Sequence, residues 1–163
     1  MKKIIYFSLI FVSSLNFKCK KEEAPPIGEP FSQVQGIQDL WILSKVEMVD
    51  EPTDPETAID VSELMLGTTP STILFNATSY MIDPGTSIHH IPFIGNWKFN
   101  DNQFPTELIL TTNNVDINLQ HLKPVREIVD NVLQYKYYRI GDACAGTFAG
   151  KPVISYIYTY NRK

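Results

Sequence analysis

Apolar and polar positions alternate with a period of two through most of this chain. The clearest case runs from Val115 to Leu122. There Val115, Ile117, Leu119 and His121 fall on one side of an extended chain, and Asp116, Asn118 and Gln120 on the other. Successive side chains of a strand point to opposite faces, so this spacing predicts a strand with one buried face. The same pattern predicts strands over Leu40–Val49, Thr72–Asn76, Ser79–Asp83, Asn96–Asn100, Glu107–Thr112, Val132–Ile140 and Pro152–Tyr160, with Ile91–Ile94 as a short apolar piece. Trp97 and Phe99 share a face of their strand. Turn chemistry separates these runs at Asn76-Ala77-Thr78, Asp83-Pro84-Gly85, Asp101-Asn102-Gln103 and Asn113-Asn114. Pro52 and Pro55 break the chain after the first strand, and a short helix or turn is expected around Val61–Leu66. Pro124–Asn131 reads as a polar connection. No segment carries a 3.6-residue period over the length of a helix. Short strands with turns roughly every eight to twelve residues predict an all-β barrel or sandwich.

The first 35 residues follow a different pattern. Lys2 and Lys3 precede an apolar run from Ile4 to Val12, broken only by Ser8. This is the charge and length pattern of a secretion signal, so residues 1–18 are assigned as a signal peptide. The run falls short of the roughly 18 apolar residues that a spanning helix needs. Cys19 follows it, and resembles the lipid-modified cysteine of bacterial lipoproteins. That resemblance implies an acyl anchor on Cys19 as the new N-terminus. The alternative is cleavage after Ser14 and a secreted or periplasmic protein. Residues 19–35 read as a tether: Lys20-Lys21-Glu22-Glu23 is charged, and Pro25, Pro26, Gly28 and Pro30 oppose regular structure. As a flexible coil, sixteen such residues span about 20–25 Å. The globular domain is expected over residues 36–163.

Composition narrows the function classes. An apolar share of 44% can build a core, which excludes a disordered chain. Formal net charge is −4. Removing residues 1–18 takes three lysines and no acids, so basic residues fall from 14 to 11 against 18 acids and the mature charge is −7. An acidic body has no basic surplus for phosphates, so nucleic acid is not an expected partner. Its own charge does not hold it on anionic lipid either; the acyl chains must do so. With Cys19 lipidated, Cys144 stands alone in Gly141-Asp142-Ala143-Cys144-Ala145-Gly146, where burial as a small hydrophobe is the plainer reading than a nucleophile.

Several segments, read in order, carry a family resemblance. They are Leu40-Trp41-Ile42-Leu43, the hairpin Phe75-Asn76-Ala77-Thr78-Ser79-Tyr80, and Gly95-Asn96-Trp97-Lys98-Phe99 followed by Phe104-Pro105-Thr106-Glu107-Leu108-Ile109-Leu110. The last is Ile154-Ser155-Tyr156-Ile157-Tyr158-Thr159-Tyr160. Together they resemble a lipocalin-like lipoprotein domain family of unknown function from Bacteroidetes, over roughly Gly36 to Lys163. The resemblance implies an antiparallel lipocalin-like barrel or partly open barrel. It also implies an envelope lipoprotein, and Lys20-Lys21-Glu22-Glu23 after Cys19 is similar to a surface-export signal, so an outer-membrane position facing the cell exterior is expected. It brings no catalytic or ligand-binding residue.

Candidate chemistry is sparse. His89-His90 suits a metal only with a third ligand such as His121 or Asp83, and a solvated loop is the plainer expectation. His121 ends an apolar face, as a boundary histidine does. Asp50, Glu51, Asp54, Glu56, Asp60 and Glu63 cluster without the spacing of a calcium loop and read as a solvated acidic segment. No phosphate-cradling glycine loop or nucleophile elbow occurs. No metal or cofactor is expected, nor an enzyme. The tyrosines are the richest feature. Tyr156, Tyr158 and Tyr160 share one face of the last strand, and Tyr135 and Tyr137 one face of the strand before it. If these strands pair, a ribbon of phenols forms. Facing inward it lines a ligand pocket or fills the core; facing outward it makes a contact surface. The expected function is non-enzymatic binding of a small or extended ligand by the barrel. The alternative is an interaction module with a filled barrel and an exposed aromatic face. The expected partners are the membrane, through the anchor, and an unknown small molecule, glycan or envelope protein.

Overall fold

The structure, a computed structural model, describes residues 32–51, 57–123, 131–142 and 149–163. The signal peptide, Cys19, the tether up to residue 31, most of the Pro124–Asn131 connection and Cys144 lie outside the described residues.

The elements in chain order are helix α1 (Gln33–Ile37), β1 (Leu40–Asp50), β2 (Ala58–Asp60), helix α2 (Ser62–Met65), β3 (Thr72–Phe75) and β4 (Ser79–Asp83). Then come β5 (Ile94–Phe99), β6 (Glu107–Thr112), β7 (Val115–Lys123), β8 (Val132–Ile140) and β9 (Pro152–Arg162). Strands β3 to β9 each pair antiparallel with the next along the chain, and β1 closes the ring between β9 and β3. The fold is a closed, eight-stranded, antiparallel, lipocalin-like barrel. β2 lies outside the ring and pairs with Glu47–Val49 of β1, beyond the part of β1 that meets β3.

Alternation explains the wall. Trp41, Leu43, Ile73, Phe75, Tyr80, Ile82, Trp97, Phe99, Leu108, Leu110 and Leu119 all point inward and are buried in one continuous core. A register shift between Leu43 and Lys45 lets Val46 also face inward. Trp97 packs edge-on against Phe75 and Phe99, each at 5.5 Å, and its Nε1 donates to the Asn76 carbonyl at 2.8 Å. Gly95 opens this strand for a steric reason. A Cβ there would overlap the Thr111 carbonyl oxygen and meet Tyr80 Cε1 at 3.0 Å. The glycine of the Gly-x-Trp pattern therefore sits where no side chain fits between β5 and β6.

The barrel has two distinct ends. At the helix end, α1 carries Ile37 into the core, with Ser32 as its N-cap. Trp41 Nε1 donates to the Ile37 carbonyl at 2.8 Å, and the Arg162 guanidinium lies over the Trp41 ring at 4.5 Å. Arg162 also donates to Asp39 at 2.5 Å and to the Gly36 carbonyl at 2.8 Å. Helix α1 begins at Gln33, three residues before Gly36. At the opposite, loop end lie α2, the β4–β5 loop, the β6–β7 turn and the β8–β9 connection. Asn113 and Asn114 both adopt left-handed φ, 51° and 61°, as a two-residue hairpin turn requires.

Candidate functional site

The β8–β9 ladder sets the tyrosines in register. Tyr135 lies opposite Tyr158, Tyr137 opposite Tyr156, and Leu133 opposite Tyr160. All five phenols are on the inner face. Tyr135, Tyr158 and Tyr160 are fully buried, whereas Tyr137 and Tyr156, nearer the loop end, are partly buried. The Tyr135 and Tyr160 hydroxyls meet at 2.9 Å. Burial pushes the pKa of all three buried phenols up, so they stay protonated across the physiological range. They do not form an outward contact surface.

His89 and His90 complete the cluster. Their loop turns at Asp83-Pro84-Gly85, where Asp83 Oδ1 accepts from Gly85 N at 3.1 Å and Gly85 takes a φ of 53°. It is then laced to the segment after α2: Ser87 Oγ donates to the Leu66 carbonyl at 2.6 Å, and Ile88 N to the Met65 carbonyl at 2.9 Å. This holds the histidines over the loop end of the core. His90 Nδ1 lies 2.8 Å from the Tyr158 hydroxyl. The His90 ring stacks on Tyr156 at 4.3 Å and lies parallel to Tyr137 at 6.0 Å. His89 stacks on Tyr158 at 6.0 Å and meets Phe93 edge-on. These histidines pack against the tyrosines and do not sit in a solvated loop as the sequence suggested. The correction has a tertiary cause, since the loop folds back over the barrel.

Both histidines are neutral at pH 7. Burial, then the nearby His90, lowers His89 to about 4; burial and then the Arg139 charge lower His90. Neither ring nitrogen of His89 has a hydrogen-bond partner among the described residues. His121 does not join them. It lies near the helix end of β7, stacked on Phe99 at 5.3 Å. Among the described residues no group of three or more His, Cys, Asp or Glu converges. Neutral imidazoles and protonated phenols can stack and exchange hydrogen bonds with a guest.

Access to this cluster comes from a break in the wall. β6 and β7 pair at six positions and β8 and β9 at nine, but β7 and β8 at three only: Gln120 with Lys136, His121 with Tyr135, and Lys123 with Gln134. Toward the loop end the two strands diverge. The resulting groove of about 440 Å³ is lined by Asp116, Ile117, Asn118, Tyr137, Tyr138, Ile140 and Pro152. Tyr137 therefore belongs both to the groove and to the histidine–tyrosine cluster. Val115, expected on a buried face, is 62% exposed; it sits next to the β6–β7 turn, beyond the end of the ladder with β8.

A second groove, about 490 Å³, crosses the outer wall and shares Tyr138 with the first. It contains a charged network that the sequence did not suggest. Lys136 is buried and pairs with Glu51 at 2.8 Å, and Ser155 Oγ donates to the same carboxylate. Burial opposes the Glu51 charge, but the Lys136 and Ser155 bonds outweigh it and hold the carboxyl below its usual range. Lys136 also lies over the Tyr138 ring at 5.1 Å, and the Tyr138 hydroxyl donates to Gln120 at 2.5 Å.

No protein-family model, curated protein or solved structure matches the chain.

Proposed function

We propose that this protein is an outer-membrane lipoprotein, anchored through Cys19, whose barrel binds a small or extended ligand without chemical conversion. The observation that carries the reading is the groove between β7 and β8, which exposes Tyr137 beside the His90–Tyr156 stack. Binding sites combine apolar and aromatic walls with a few oriented polar groups. Here Ile117, Ile140 and Tyr137 supply the walls, and Asn118 and the Tyr138 hydroxyl the polar groups. The barrel axis itself is filled by Tyr135, Tyr158 and Tyr160, so the ligand sits in the wall rather than in a hollow centre.

A second reading, an envelope interaction module, is supported by a different observation. Ile59, Leu64, Ile88, Phe93, Ile94, Val115 and Ile140 are all exposed and all belong to the loop end. The deciding experiment is native mass spectrometry of the detergent-solubilised protein after incubation with an extract of its own envelope. A reproducible added mass, lost on unfolding and reduced in Tyr137→Ala, supports ligand binding at the groove. An unchanged mass overturns it and turns attention to cross-linked protein partners.

A further inference from the structure

The β7–β8 groove has unmet needs of two kinds. The first is in the main chain. Every residue other than proline carries one backbone donor and one acceptor, and a strand edge without a neighbour leaves a row of them open. Val115–Leu119 pair with β6 on one edge, and Tyr137–Ile140 pair with β9 on one edge. The β7–β8 ladder stops at Gln120 and Lys136, so among the described residues no ladder pair serves the facing edges beyond them toward the loop end. The second need is apolar. Ile140 stands at one lip, 50% exposed, with Ile117 and Tyr137 only partly covered beside it.

We infer that the groove takes an extended peptide strand of another protein, paired by its main chain between β7 and β8. The inference rests on the ligand-binding reading above and names the class of ligand. An acyl chain covers Ile117 and Ile140 but offers no donors or acceptors. A sugar offers hydroxyls but does not repeat at the strand spacing of about 3.3 Å per residue. A peptide meets both needs, through the strand addition seen wherever a sheet edge recruits a guest. Because β7 and β8 are antiparallel, the guest runs parallel to one and antiparallel to the other. Its alternate side chains point inward to Ile117 and Tyr137, and outward beside Asn118 and Tyr138.

The guest is a foreign peptide rather than this chain's own leading segment. Pro25, Pro26 and Pro30 lack the N–H groups a ladder needs. Charge narrows it further. Asp116 at the groove already accepts from Thr111 and pairs with Lys98, so it is the surplus of 18 acids over 14 basic residues that favours a neutral or basic strand over an acidic one.

The test is amide hydrogen exchange on the intact detergent-solubilised protein. The probe is a library of six-residue, end-blocked peptides alternating Val or Ile with Thr or Lys. The control is the same library with alternate amides N-methylated. The expected result is exchange about tenfold slower with the probe at Asp116, Asn118 and Tyr138, whose amides point away from the β6 and β9 ladders and toward the groove, and unchanged exchange with the control. Equal protection by both libraries overturns main-chain pairing. No protection by the probe, alongside an added mass from the envelope extract that Tyr137→Ala reduces, overturns the peptide inference and leaves ligand binding standing. Absence of both overturns the two together. Protection that grows with protein concentration and needs no peptide makes a second copy the guest, and overturns the foreign-peptide assignment.

Discussion

The Tyr135 hydroxyl is sealed in the core and bonded to the Tyr160 hydroxyl, so its value shows only when one of the pair is removed. Tyr135→Phe leaves Tyr160 without that partner and is expected to cost about 1–3 kcal/mol in urea unfolding. The double variant Tyr135→Phe/Tyr160→Phe is expected to cost less than the sum of the two single changes. A double-mutant cycle measures the coupling, and strict additivity would contradict it. The histidines give a pH prediction. His89 has a folded pKa of about 4 against an ordinary 6.5, so the unfolded chain binds the proton more readily. Its contribution is fully present above pH 6.5 and is lost as pH falls toward 4. The loss is about 1–2 kcal/mol, partial solvent contact of the ring reducing the full effect. Replacing His89 by Phe should flatten the dependence of the unfolding midpoint between pH 7 and pH 4.5. An unchanged slope would mean that another group carries it. None of this was legible from sequence at His89 itself, because a loop's return over a barrel leaves no periodic trace.

Strands were the most legible elements, since alternation reports which face is buried without needing to know the neighbour. The phenol ribbon was legible from the expected pairing of β8 and β9, but its inward direction was not, since alternation does not say which face meets the core. Elements too short for a period escaped: α1 has five residues, and the three residues of β2 are all exposed. β7 teaches the opposite lesson. Its alternation is the cleanest in the chain, yet of its nine residues only three pair with the following strand. Its side chains alternate for the sake of the core and of β6, and carry no record of where β8 departs. The β5–β6 pair yields a sharper test. Gly95→Ala would press a methyl group into the Thr111 carbonyl and the Tyr80 ring, and is expected to lower stability by about 1–3 kcal/mol. Thermal melting checks it, and a neutral result would mean that β5 can shift away from β6 without loss.

On the scale of the whole barrel, Lys136 and Glu51 tie β8 to the chain just beyond β1, and Ser155 brings in the intervening β9. Lys136→Met strands a largely buried carboxylate and should cost about 3 kcal/mol, while adding Glu51→Leu should restore much of it. Urea midpoints of the three variants decide, and a double variant no better than Lys136→Met would show that the pair contributes through more than charge. For the proposed anchor, Cys19→Ala should move the protein from the membrane fraction to the soluble fraction and remove the acyl mass. Membrane retention in that variant would refute the anchor. The closure of the ring by β1 and β9 also has a mechanical side. Leu40 begins one strand, Arg162 ends its partner, and Lys163 N donates to the Leu40 carbonyl at 3.0 Å, so the domain enters and leaves at one end. A force pulling residue 40 away from residue 163 would open that ladder one bond at a time, like a zipper. A force applied between residue 40 and the loop end would instead load β1 along its length, with many bonds resisting together. A guest held in the groove would pull in the second direction, the one in which the barrel resists best.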